Sequence, residues 1–200
     1  MPSNIEIKAR AADWDGQIAL ARALADKTEE LIQEDIFFNT CAGGETTTAV
    51  SPQAVGKGSK PVRHGVPQTD NRPEGRLKLR IIEGRESYLI FYRRFNQKGP
   101  KNSVYYPSLV KDPESMKTLL GAALGCGKTV KKKRLLFLSG QTRIHFDEVE
   151  GLGRFIELEV CMKEGQALEE GEALAKDFMR RLAIAEKDLL EGAYADMLNR

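Results

Sequence analysis

The 200-residue chain is poor in cysteine, histidine and tryptophan, and neither charge sign dominates it. Its three cysteines, Cys41, Cys126 and Cys161, are odd in number, far apart and form no C-x-x-C pair. That excludes a disulfide framework and a thiolate zinc site, and points to a reducing compartment. No stretch approaches the roughly 18 consecutive apolar residues of a membrane span, and "MPSNIEIKAR" lacks the apolar run of a signal peptide. A cytoplasmic protein with no membrane partner is therefore expected. Thirty-one Lys and Arg stand against 29 Asp and Glu, a net charge of +2. No global field drives binding to nucleic acid, so any basic site is local. No Ser/His/Asp or Cys/His set suggests a covalent nucleophile.

What is present is a chain long enough for one domain with a buried core. "NIEIKAR" reads as a strand. "DWDGQIALARALADKTEELIQE" reads as a helix capped by Asp13, with Ile18, Ala21, Leu24 and Ala25 on one stripe. "DIFFNT" reads as a strand. Residues 41–74 contain four prolines and no Leu, Ile, Met or aromatic residue. Such a composition cannot offset its ordering entropy by burial, so a long mobile loop or insertion is expected there. Strand patterns resume in "GRLKLRII", "SYLIFYRRF" and "NSVYYPSLV". After a helix around "PESMKTLLGAALG" they continue in "TVKKKRLLFL", "TRIHFDEVE" and "GRFIELEVCMK". A long amphipathic helix carrying Leu174, Phe178, Leu182 and Ala185 closes the chain. Mostly antiparallel strands with three helices make an α+β domain over 1–200.

Side chains alternate across a strand, and five strands repeat one alternation. Glu6 and Lys8 oppose Ile5 and Ile7. Arg76, Lys78 and Arg80 oppose Leu77, Leu79 and Ile81. Lys132 shares a face with Arg134. Arg143, His145 and Asp147 oppose Ile144 and Phe146, and Glu157 and Glu159 oppose Ile156, Leu158 and Val160. The alternation alone leaves open a sheet whose charged face is merely solvated. A closed barrel with the charges inward and the helices covering its apolar outside uses every element. A cation-lined interior is costly without an anion. A polyphosphate is the natural partner, with the carboxylates holding Mg²⁺ or Mn²⁺.

These residues resemble the CYTH family, the triphosphate tunnel proteins that include class IV adenylate cyclases, thiamine triphosphatases and inorganic tripolyphosphatases. "NIEIK" looks like the opening E-x-E-x-K of that family with Asn4 in place of the first Glu. "GRLKLR", "LIFYRR", "VKKKRLLF" and "TRIHFDEVEGLGRFIELEV" follow in the family's order. The resemblance implies an eight-stranded antiparallel barrel with flanking helices, binding a triphosphate and a divalent metal. It implies triphosphate contacts at Lys8, Arg76, Lys78, Arg80, Arg93, Lys132, Arg134 and Arg143, with Arg94 an alternative to Arg93. It implies metal ligands at Glu6, Glu157, Glu159 and Asp147, and catalytic roles for Lys8, Glu157 and Glu159. Asn4 implies one metal, weaker metal binding or a differently placed water. The expected activity is triphosphate hydrolysis; cyclisation of ATP and non-catalytic anion binding are the alternatives. The expected partner is a small triphosphate, with a homodimer left open.

Other signals weigh less. "GAALGCGKT" has Ala122 where a phosphate loop needs glycine, and it follows a helix rather than a strand. "KKKR" at 131–134 splits between two faces of a strand. Tyr88, Tyr92 and Phe95 are candidates for stacking on a ring, though strand aromatics commonly pack. His145 is expected to orient Asp147.

Overall fold

A computed structural model describes residues 3–40, 75–94 and 97–198. The proposed insertion at 41–74 and Phe95 lie outside the described residues. Eight strands run in chain order as β1 (Ser3–Arg10), β2 (Lys27–Phe38), β3 (Gly75–Ile82), β4 (Ser87–Arg94), β5 (Lys101–Val110), β6 (Cys126–Ser139), β7 (Thr142–Val149) and β8 (Gly153–Cys161). They close into an antiparallel barrel ordered β1-β5-β4-β3-β2-β6-β7-β8. The helices are α1 (Trp14–Leu24), α2 (Pro113–Leu124), α3 (Leu168–Arg181) and the short α4 (Tyr194–Met197). No described helix is long and apolar enough to cross a membrane.

The barrel is inverted in polarity, with charge inside and apolar side chains outside. Ile5, Ile7, Ile156, Leu158 and Val160 lie outside under Ala175, Phe178 and Met179 of α3 and Leu182 at its C-terminal cap. Trp14 of α1 meets Phe146 edge-on at 5.4 Å between ring centroids. On the opposite side Met116, Leu120 and Leu124 of α2 cover Ile36, Phe38 and Leu79. Each large side chain buried in this way contributes about 1.5–3 kcal/mol, so the helices stabilise a sheet whose other face cannot. α3 also packs closely. A Cβ on Gly171 would lie 2.9 Å from Ile5 Cγ1 and 2.4 Å from Met162 Sδ, so the helix seats where glycine leaves room.

Two element boundaries differ from the sequence reading. α1 begins as expected, with Gly16 N donating to Asp13 Oδ1 at 3.1 Å. It stops at Leu24, however, and Lys27–Ile36 pairs continuously with β6 instead of extending the helix. The Glu-rich stretch is a good helix former, but cross-strand pairing and the inward placement of Asp35 override that preference. At the other end, α3 is followed not by more α-helix but by a turn and a single 3-10 turn, Glu186–Asp188. The extended chain beyond it makes an isolated bridge between Leu189 and Ala9 and leads into α4.

Candidate functional site

The barrel encloses a cavity of about 470 Å³, within the range of small-molecule sites. Its charged walls follow from strand alternation. Lys8 comes from β1, Lys78 and Arg80 from β3, Arg94 from β4, Lys132 from β6 and Arg143 from β7. Arg134 lies against the same charges and is 5% exposed. One end is stopped by Tyr194 of α4. Its ring lies 3.5 Å from Lys8 Nζ, and its hydroxyl donates to Asp147 Oδ2 at 3.0 Å.

Carboxylates space these cations. Asp35 accepts from Lys78 Nζ at 2.9 Å and from Arg80 Nε and Nη2 at 2.8 and 2.9 Å. Burial would raise the Asp35 carboxyl, but Arg80 and Lys78 outweigh it and hold the group well below the usual range. Lys78 is lowered as well, to about 8, first by burial and then by Arg80, which in its case disfavours the charged form. Asp147 accepts from Arg134 at 2.6 and 2.7 Å and from Lys132 at 3.0 Å. Glu157 bonds Lys8 at 3.1 Å and Arg134 at 3.0 Å. Glu6 accepts from Arg94 at 2.7 Å. Cations still outnumber carboxylates on the inner face, which leaves a local positive field that the net charge of +2 conceals.

The remaining donors fit a small divalent cation. Glu6 and Glu159 stand directly opposite in the β1–β8 register, a like-charge pairing in which Glu6 is tied to Arg94 at 2.7 Å while Glu159 has Arg143 no nearer than 3.6 Å. His145, 3% exposed, keeps Nδ1 without a hydrogen-bond partner among the described residues. That nitrogen lies 3.7 Å from Glu157 Oε2 and 3.8 Å from Glu159 Oε1. These separations exceed a hydrogen bond and lie within the roughly 4 Å that donors on one ion can span. Burial first and Arg134 second hold the imidazole below its usual range, which leaves it neutral and able to ligate. Asn4 lines the cavity with a buried amide oxygen that likewise lacks a partner among the described residues. A hard ion takes such oxygens readily.

Four sequence expectations are corrected. Arg93 lies exposed on the outside, over the Phe91 ring at 5.5 Å; Arg94, of opposite parity, is the inward residue. Asp147 is fully enclosed with its oxygens committed to Arg134, Lys132 and Tyr194, so it braces cations and does not face the cavity as a metal ligand would. Arg76 does not line the cavity, and Asp196 of α4 takes it at 2.9 and 3.0 Å. His145 faces Glu157 and Glu159, its register neighbour being Glu157, and not Asp147. The structure brings Glu6, Lys8, Lys78, Arg80, Lys132, Arg143, Glu157 and Glu159 to one cavity.

Sequence reasoning missed Asp35, Tyr194 and Lys101. Alternation through Leu31, Gln33 and Asp35 was the available signal for the first. Tyr194 sits in a four-residue helix with no periodicity to read. Lys101 is 1% exposed and opposite Glu6. Burial, then Arg94, lowers its ammonium to about 8.

Several solved structures share the fold. One is the PH1012 protein of Pyrococcus horikoshii OT3, 20% identical, with a TM-score of 0.72 over 96% of this chain and 98% of that one. A putative adenylate cyclase of Vibrio parahaemolyticus is 19% identical, with a TM-score of 0.68 over 98% of both chains. A putative adenylyl cyclase of Hippeastrum, described as revealing a dominant triphosphatase activity, is 17% identical, with a TM-score of 0.54 over 92% and 89%. No curated protein sequence matches the chain. The sequence model of the CYTH domain matches residues 68–194, from just before β3 through the tunnel-stopping Tyr194, and the chain belongs to that family.

Proposed function

We propose that this chain binds a triphosphate with a divalent metal inside its barrel and hydrolyses it. The observation that carries the reading is the convergence of Lys8, Lys78, Arg80, Arg94 and Lys132 on one cavity that also holds Glu157 and Glu159. Arg80 and Arg94 grip phosphate oxygens through planar guanidinium forks, while the lysines act as point charges. Positioning and charge neutralisation then supply most of the rate in a loose phosphoryl transfer.

Water attacks the terminal phosphorus, the bridging P–O bond breaks, and the diphosphate leaves with the bonding pair. The two inner carboxylates are not equivalent. Glu157 has both oxygens tied, to Lys8 and Arg134. Among the described residues Glu159 has only Arg143, at 3.6 Å, and the imidazole, at 3.8 Å. Glu159 is therefore the group to orient the water and take its proton. A divalent ion, held by Glu157, Glu159 and His145 with Glu6 and Asn4 beside them, would neutralise phosphate charge.

The test is incubation with ATP, thiamine triphosphate and tripolyphosphate in Mg²⁺ or Mn²⁺, with all products resolved. Orthophosphate that falls at least about 100-fold in Glu159→Gln, with anion binding retained, is the expected result. Cyclic AMP with matching pyrophosphate would instead identify an adenylate cyclase. Binding without turnover would make the chain a triphosphate binder, a reading that Asn4 favours.

A further inference from the structure

Two parts of the charged wall repeat one arrangement. On β3 and again on β6 a lysine and an arginine two residues apart face inward, Lys78 with Arg80 and Lys132 with Arg134. An aspartate of the neighbouring strand lies directly opposite each arginine, Asp35 on β2 and Asp147 on β7. The bonds match atom for atom. Each aspartate accepts from the arginine Nε on Oδ1 and from both the arginine Nη2 and the lysine Nζ on Oδ2. The distances are 2.8, 2.9 and 2.9 Å at Asp35 and 2.6, 2.7 and 3.0 Å at Asp147. One further donor completes each set: Gln33 Nε2 reaches Asp35 Oδ1 at 3.1 Å, and the Tyr194 hydroxyl reaches Asp147.

The two sets differ in access. The Lys132 and Arg134 side chains are 2% and 4% exposed, and Glu157 takes the same Nη2 of Arg134, so that set is a closed brace. The Lys78 and Arg80 side chains are 13% and 21% exposed. Beyond Asp35, neither has another hydrogen-bond or ion-pair partner among the described residues. Two long side chains held in this way lose little further rotamer freedom when an anion arrives.

Resting on the triphosphate reading, we propose that Asp35 is a positioning residue, which aims the Lys78 ammonium and the free edge of the Arg80 guanidinium into the cavity as one cradle for a single phosphoryl group. Its carboxylate also governs when that cradle is charged. Lys78 is faced by Arg80 on its own strand, Lys132 from β6, Asp35 from β2 and the Tyr92 ring from β4 at 5.4 Å. Burial, then Arg80, and also Lys132 lower its ammonium to about 8, and Asp35 opposes them. Burial keeps the Tyr92 phenol above its usual range, so it stays neutral. Against burial, Asp35 holds Arg80 above its usual range, so it stays charged. Without the Asp35 carboxylate, Lys78 therefore loses its proton at lower pH, and the anion loses a partner there.

The test is calorimetric titration of the full chain from pH 6 to pH 9 with a tripolyphosphate analogue whose bridging oxygens are methylene groups. Saturating Mg²⁺ is present throughout, and the methylene bridges prevent turnover. Relative to wild type, Asp35→Asn should bind nearly equally at pH 6 and about tenfold more weakly at pH 8, since losing an adjacent opposite charge moves an ionisation by about a unit or more. Near-equal binding at pH 6 also shows that the variant folds. Introduced into Lys78→Arg, whose guanidinium does not titrate in this range, Asp35→Asn should open little of that gap. A loss of one size at every pH, no loss, an unfolded Asp35→Asn, or a gap that persists in Lys78→Arg would overturn the assignment and leave the triphosphate reading standing. If the wild type binds the analogue at no pH with Mg²⁺ present, the triphosphate reading falls and the assignment with it.

Discussion

Asp35 and Lys78 show how single residues set the site. Asp35 anchors two cations yet does not fully compensate Lys78, whose ammonium sits at about 8 because burial and Arg80 both oppose its charge. The sign follows: above pH 8 Lys78 loses its proton and the cavity loses a cation. Between pH 7 and 9 the contribution of Lys78 to anion affinity should fall by about tenfold. Titrating tripolyphosphate into wild type and Lys78→Arg across that range checks this, since ligand ionisation is common to both; parallel curves would refute it. The inward set from Lys8 to Glu159 was legible because alternation along a strand is a one-strand property. The partner of His145 was not, because it depends on the β7–β8 register. Arg93 and Arg94 could not be separated because the phase of β4 is fixed by its pairing with β3 and β5, the latter setting Arg94 opposite buried Ser103.

At the scale of elements, the helices serve the sheet's outer face. α3 is the clearest case, with Phe178 3% exposed against the apolar side of β1 and β8. Those two strands carry Glu6, Lys8, Glu157 and Glu159 on their other side. Phe178→Ala should cost about 3–5 kcal/mol in chemical denaturation while tripolyphosphate affinity changes little, because the cavity face is untouched. A large loss of affinity in the still-folded variant would mean that α3 positions the site as well as stabilising it. The apolar stripe of α3 was readable from the spacing of Leu174, Phe178 and Leu182. The start of β2 was not, because Lys27–Glu34 satisfies helical propensity locally and becomes a strand only through its long pairing with β6.

At the scale of the molecule, the site lies where the N-terminal strand β1 closes the barrel between β5 and β8. β1 joins the sheet by pairing Ser3 with Val104 on one side and Lys8 with Glu157 on the other. Both contacts are distant in sequence, so each carries a large loop-closure entropy. The same closure gathers Lys8, Arg94 and Lys132, whose mutual repulsion the local carboxylates only partly offset. If β1 docks in the rate-limiting step, a chain-entropy barrier and a like-charge barrier are met together. A polyanion should lower the second of these, so refolding from denaturant should quicken in tripolyphosphate relative to sodium chloride of equal ionic strength, and a rate indifferent to the anion would show that closure precedes the gathering of charge. On the proposed function, the anion that the finished tunnel takes would also be a template for its assembly, so that ligand and folding aid are one molecule.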